Sequence, residues 1–309
     1  MKLLLFVFSL LILGCAPAAA PTTLPSGSAA TGATITLNVF AAASLTDAFG
    51  EIGANFTTAH PDVAVVFNFA GSNQLATQIG EGAPADLFAS ANETQMGVAI
   101  ESGRIISGTQ RTFARNRLVV ITPHDNPARL STLQDLAKPG VKLVFAAAAV
   151  PVGQYTLNFL DKAAADGSLG ADYKDAVIAN AVSYEQNVRA VLTKVTLGEA
   201  DAGVVYTSDV GAVAADLVQI MIPDSLNTIA SYPIAMLSDS ANPEVAQQLM
   251  DYVLAPAGQQ VLARYGFIST TGDTTGAAPG TAFGAVSGLK ACCVNWLRLD
   301  RVDKTWRNR

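Results

Sequence analysis

Cysteine is absent between positions 16 and 291 of this 309-residue chain. The three present are Cys15 and the adjacent pair Cys292 and Cys293, so neither a disulfide framework nor a Cys-x-x-Cys or Cys/His zinc spacing can be drawn. The fold has to hold by packing alone. Histidine is just as scarce. His60 and His124 each sit beside a proline (His60-Pro61, Pro123-His124-Asp125), where a solvated loop histidine is the ordinary reading. No G-x-S-x-G elbow, Walker loop, G-x-G-x-x-G turn or H-E-x-x-H helix occurs. These absences leave an enzyme only a constellation assembled from distant residues. Charged residues make up 14% of the chain, and acids outnumber bases 25 to 19, the wrong sign for gripping nucleic-acid phosphates. No internal repeat of solenoid period is visible.

Half of the residues are hydrophobic, which fits a well-buried globular protein. The length exceeds the roughly 150 residues that one domain usually holds, so two lobes are expected. The N-terminus reads MKLLLFVFSLLILGC. Its apolar run at 3–13 is shorter than the roughly 20 residues of a membrane span but suits the core of an export signal. Leu13-Gly14-Cys15 with Ile12 before it resembles the lipobox of bacterial lipoproteins, in which the cysteine is acylated. The expected organisation is therefore a signal peptide at 1–14 and a lipid-anchored tether at 15–33, rich in Ala, Pro, Thr, Ser and Gly. The folded part would then work outside the cytoplasmic membrane, anchored through Cys15. An ordinary signal peptide with a chance cysteine is the alternative. At the other end, 271–309 turns Gly/Thr/Ala-rich and then basic, and its apolar part is broken by Lys290 and Asn295, which argues against a span. The sequence assigns it no role.

From 34 to 267 short apolar, β-branched runs alternate with longer helix-patterned stretches, the mark of an α/β fold with a parallel or mixed sheet covered by helices. Strands are expected at 35–40, 63–69, 87–90, 118–122, 142–147, 202–206, 217–222 and 229–237, as near-continuous runs buried on both faces. Helices are expected at 44–57, 73–81, 93–102, 132–138, 153–165, 187–197, 243–254 and 256–265. Ser44-Leu-Thr-Asp47 looks close to a capping box. Asn242-Pro243 places a capping residue before a proline at the first helical position, and Gly103, Gly140 and Gly198 fall where helices should stop.

Five polar or glycine-containing turns stand between a strand and a helix: FAAASLTDAF, FAGSNQLATQI, AAAAVPVGQY, YEQNVRAVL and VVYTSDV. Strand C-termini converge on the crevice of an open α/β sheet, and helix N-termini present free N–H groups at the positive end of a dipole. Together they make an anion site that needs no lysine or arginine. Ser44 and Ser72 can each add a hydroxyl donor and Tyr206 a phenolic one; each serine alone could be a plain helix cap, and Tyr206 alone a half-buried core tyrosine. Asp47 and Asp209 read as caps.

Ala41-Ala-Ala-Ser-Leu-Thr-Asp47, Ala70-Gly-Ser-Asn-Gln-Leu75, Gly82-Ala-Pro-Ala-Asp-Leu-Phe88, Val150-Pro-Val-Gly-Gln-Tyr155, Val204-Val-Tyr-Thr-Ser-Asp209 and Arg264-Tyr-Gly-Phe267 closely resemble the periplasmic molybdate-binding proteins of ABC importers. The likeness runs in order over 35–267. It implies the two-lobed, hinged binding-protein fold of the second topological type, with lobe 1 at 34–117 plus 231–270 and lobe 2 at 118–230. It also implies that Ser44 and Ser72 bind the oxyanion through hydroxyl and N–H, Val152 and Val188 through backbone N–H, and Tyr206 through its hydroxyl. The usual small residue is a valine at Val152, and the Asp-Pro that often precedes the V-P-x-G turn is Ala147-Ala148. The implied function is capture of molybdate, or tungstate, as a monomer for ABC importer permease subunits, with no cofactor, no side-chain-liganded metal and no nucleic acid. The alternatives are a site for another oxyanion such as sulfate, an enzyme on the same scaffold, as porphobilinogen deaminase is, which would need a cofactor-bearing cysteine, and a surface sensor or adhesion module.

Overall fold

A computed structural model describes residues 34–270 of the chain. The expected signal peptide, Cys15, the tether and the 271–309 tail lie outside the described residues.

In chain order the elements are β1 (Ile35–Ala42), α1 (Thr46–Ala59), β2 (Val63–Ala70), α2 (Ser72–Gly80), β3 (Leu87–Ala89), α3 (Glu93–Glu101), β4 (Arg111–Asn116), β5 (Leu118–Pro123), β6 (Leu143–Ala146) and α4 (Pro151–Asp166). They continue with α5 (Tyr173–Ala179), β7 (Ala181–Glu185), α6 (Val188–Thr196), β8 (Ala202–Tyr206), α7 (Thr207–Val210), β9 (Leu217–Met221), β10 (Ala230–Met236), α8 (Pro243–Leu254), α9 (Pro256–Arg264) and β11 (Ile268–Ser269). The strands make two mixed sheets flanked by helices, ordered β11-β4-β10-β3-β1-β2 and β7-β6-β8-β5-β9. In the first, β1 runs parallel to β2 and β3 while β10 is antiparallel to β3 and β4. In the second, β6 is parallel to β7 and β8, and β5 antiparallel to β8 and β9.

The chain passes between the sheets twice, at Arg117 and again between β9 and β10. Asn227 stitches the two crossings together: its Oδ1 accepts the Leu118 N–H at 3.2 Å and its Nδ2 donates to the Leu118 carbonyl at 2.9 Å. One continuous apolar cluster runs through both sheets, from Leu37, Phe49 and Phe113 to Val119, Leu160 and Val204. A smaller one, with Phe40, Leu75, Phe88 and Met96, covers the other face of the first sheet, because Phe40 alternates with Val39 along β1.

Several local expectations need correction. Burial on both faces holds for β5 and β8 but not for β2 or β9, which are sheet edges: β2 is mostly half-exposed, and Val218, Gln219 and Met221 are exposed. The capping box at Ser44 does not form. Ser44 sits in a short 3-10 turn, Ala43–Leu45, α1 begins at Thr46 without a side-chain cap, and the Ser44 hydroxyl is taken by a distant partner. Pro243 does open α8, but Asn242 sends its amide to the Thr36 carbonyl instead of capping. The 132–138 segment is a 3-10 turn, Leu133–Ala137. Strands β4, β7 and β11 and helix α5 were not among the expected elements. Gly103, Gly140 and Gly198 do follow their segments with positive φ, at 78°, 84° and 71°.

Candidate anion-binding site

The turns after β1, β2, β3, β6 and β7 and the end of β8 meet around one small cavity. It is lined by Ala42, Ala43, Ser44, Ala70, Gly71, Ser72, Ala91, Val150, Pro151, Val152, Asn187, Val188 and Tyr206. The five residues expected to hold the ligand, Ser44, Ser72, Val152, Val188 and Tyr206, are all brought together here. No lining residue is charged.

What the lining offers is hydrogen-bond donors. Helices α2, α4 and α6 begin at the cavity, and the first N–H groups of a helix have no acceptor within it. Pro151 has no N–H, so Val152 presents the first one of α4. In α6 the Asn187 side chain caps Ala190 N–H at 3.0 Å, leaving the Val188 N–H without an intrahelical partner. Ser72 Oγ accepts the Ala91 N–H at 3.0 Å, which leaves its hydrogen to give. Ser44 Oγ lies 2.9 Å from Tyr232 Oη. Tyr206 is 1% exposed, and although the Tyr232 hydroxyl stands close by, the Tyr206 hydroxyl makes no hydrogen bond of good geometry among the described residues. An orphan of this kind costs about 1–3 kcal/mol and asks for a ligand as its explanation. Burial, reinforced by Tyr232, Tyr155 and Asp209 nearby, holds the Tyr206 phenol well above its ordinary range, so it stays a neutral donor.

Two glycines permit the close approach. A Cβ on Gly153 would meet the Ala147 carbonyl oxygen at 2.1 Å, so the first turn of α4 can lie against the end of β6 only as glycine. The Ala147-Ala148 departure still forms a hydrogen-bonded turn, with Val150 N–H on the Ala147 carbonyl at 2.9 Å. A Cβ on Gly71 would meet the Gln186 carbonyl oxygen at 2.5 Å, a contact between the two sheets' segments. Other bonds also join them: Asn92 Nδ2 donates to Gln154 Oε1 at 3.0 Å, and Gln74 Nε2 to Gln186 Oε1 at 3.1 Å.

Charge lies just outside the cavity. Arg189 is paired with the Asp47 carboxylate, donates to the Ala43 carbonyl at 3.3 Å, and has Nε 3.4 Å from Asp209 Oδ1. Burial pushes the Asp209 carboxyl up to about 7, against the opposing pull of Arg189 and of the Tyr206 N–H, which it accepts at 3.1 Å. Of the two expected caps, Asp209 does accept that N–H at the start of α7, while Asp47 pairs with Arg189 of α6, the helix that packs on the other sheet. Arg189 and Tyr232 were not foreseen. Tyr232 sits in an expected apolar strand, and a buried tyrosine there signals a polar partner.

Residues 37–268 match the model of a bacterial extracellular solute-binding protein family. The molybdate-binding protein ModA of Mycobacterium tuberculosis is 38% identical over 229 residues, 74% of this chain and 83% of that protein. A putative ABC transporter substrate-binding lipoprotein of Bacillus subtilis is 30% identical, covering 75% and 86%. Among solved structures, the substrate-binding domain of a putative molybdenum ABC transporter from Clostridium difficile aligns with a TM-score of 0.57 at 29% identity, covering 76% of this chain and 99% of that one.

Proposed function

The chain belongs to the bacterial extracellular solute-binding protein family, and we propose that it captures molybdate, or tungstate, outside the cytoplasmic membrane and delivers it to an ABC importer. The observation that carries this reading is a carboxylate-free cavity of uncharged donors that includes a fully buried, unpartnered phenol. Molybdate is fully deprotonated at neutral pH and only accepts hydrogen bonds, so a site made of donors alone suits it. Ser44, Ser72 and Tyr206 bind it through hydroxyls, and Val152 and Val188 through backbone N–H groups. A phosphate site would want an acceptor for the remaining proton, and no lining residue offers a carboxylate. Neutral donors select by size as well, since the oxygens around molybdenum or tungsten stand farther out than those around sulfur.

Residues 34–117 and 231–270 form one lobe and 118–230 the other. Closing them on the ion brings both sets of donors to bear and excludes water, which strengthens each bond. Release follows when the permease subunits part the lobes. The protein acts as a monomer, tethered through an acylated Cys15. Calorimetric titration of the purified chain with molybdate, tungstate and sulfate tests the reading: molybdate and tungstate bind tightly and sulfate weakly, and tight sulfate binding with none of molybdate overturns it.

A further inference from the structure

We infer that Tyr232 and Asn116, neither of which lines the cavity, fix the direction in which the Ser44 hydroxyl gives its hydrogen and thereby select for oxyanions that carry no proton. This rests on reading the cavity as an oxyanion site. The chain of bonds begins where the backbone crosses between the sheets. Asn116 is fully buried at the end of β4, and its amide can point only one way. Its Oδ1 accepts the Arg117 N–H at 2.9 Å and the Thr207 hydroxyl at 3.0 Å, and exchanging the oxygen and nitrogen would set the amide N–H against the Arg117 N–H, which can only donate. The two Nδ2 hydrogens therefore face Ser208 Oγ at 2.7 Å and Tyr232 Oη at 3.4 Å.

With an N–H directed at its oxygen, Tyr232 has its own hydrogen free for Ser44 Oγ, 2.9 Å away. An oxyanion in the cavity draws the hydrogens of Ser44 and Tyr206 toward itself. The relay then runs one way, from Asn116 to Tyr232 to Ser44 to the ligand. Burial holds the Tyr232 phenol far above its ordinary range, so this hydrogen is never lost to solvent.

The consequence is selectivity. A serine that accepts a proton from a ligand must send its own hydrogen elsewhere. For Ser44 that means reversing the bond to Tyr232, which strips the phenol hydrogen of its acceptor. Ser72 is held in the same sense by the Ala91 N–H on its oxygen. Neither serine is arranged to receive a proton, and a protonated tetrahedral oxyanion meets donors on both.

Titration of the full chain with molybdate and with arsenate at pH 7, where arsenate carries at least one proton, reads this out. In Tyr232→Phe the ring stays but the relay ends, so Ser44 can turn. Molybdate affinity should fall about three- to tenfold, and the molybdate-to-arsenate affinity ratio should narrow about tenfold. In a Ser44→Ala background the same change should add nothing to either number, which a purely structural role for Tyr232 would not produce. Asn116→Ala, which leaves the phenol in place but frees its hydrogen to turn away, should narrow the ratio too, and it serves if Tyr232→Phe does not fold. An unchanged ratio, or an effect that persists without Ser44, overturns the relay. Failure of the unmodified chain to bind molybdate overturns the oxyanion reading itself and is distinguishable from both.

Discussion

The cavity and the Arg189 cluster beside it are separated by a single residue step, from Val188 to Arg189, yet they handle charge by opposite means. In the cavity, hydroxyls and N–H groups face a space with no charged side chain. In the cluster, one guanidinium is shared between Asp47 from the first sheet's side and the fully buried Asp209 of the second. Neutral donors can be left buried at modest cost and impose direction and distance on what they bind, whereas a buried charge has to be paired. Arg189 spends its charge joining α6 to Asp47 and to the Ala43 carbonyl, at the turn that carries Ser44. The uncharged groups are thus suited to selecting what enters the cavity, and the charged ones to joining the segments of the two sheets beside it.

Putting charge into the cavity breaks this division most completely. In Ser72→Asp a carboxylate replaces a donor against a dianion. Like charges so placed cost several kcal/mol, so molybdate affinity should fall by more than about 1,000-fold. Calorimetry on the folded variant decides it, and retained tight binding would mean the ion sits elsewhere.

The neutral half of this arrangement was legible in the sequence, and the charged half was not. Strand-end and helix-start turns are local, so Ser44, Ser72 and Tyr206 could be singled out from short strings of residues, and Val152 and Val188 through the family resemblance those strings carry. Tyr232 reaches Ser44 across 188 positions and Arg189 reaches Asp47 across 142, distances over which local pattern carries no signal. The same limit explains the false capping box: Ser44 and Asp47 have the right spacing, but tertiary partners claimed both side chains. Among the strands, β4 reads as polar because Arg111, Arg115 and Asn116 interrupt it, although Phe113 and Ala114 are buried. β7 lies at a sheet edge with exposed Val182 and Tyr184, so burial did not mark it.

Tyr206→Phe sharpens the comparison with a smaller effect, because it separates the two consequences of a neutral donor. A hydrogen bond to a charged acceptor contributes about 1.5–3 kcal/mol, so molybdate affinity should fall roughly 10- to 100-fold. Without ligand, the variant loses an orphaned polar atom and should gain about 1 kcal/mol of stability, raising Tm by about 2–4 °C. Titration and thermal unfolding of the same preparation must therefore move in opposite directions. A fall in both would mean that the phenol has a partner within the protein.

The smallest effect on binding is expected in the charged cluster, where Asp209→Asn should change molybdate affinity by less than about threefold at pH 8. Its mark is on stability against pH. Burial lifts the Asp209 carboxyl from the ordinary value near 4 to about 7, so the folded chain holds a proton that the unfolded chain has released. Stability from this group is therefore fully present below about pH 4 and is lost as pH rises through about 7, with a slope of at most about 1.4 kcal/mol per pH unit. Asparagine keeps an acceptor for the Tyr206 N–H but has no proton to lose, and Arg189 retains Asp47. Denaturant unfolding from pH 4 to 8 should show the unmodified chain losing stability relative to the variant across that window and running parallel to it above. Parallel curves throughout would mean that Arg189 keeps Asp209 ionised, and that all three groups of the cluster stay charged across the range.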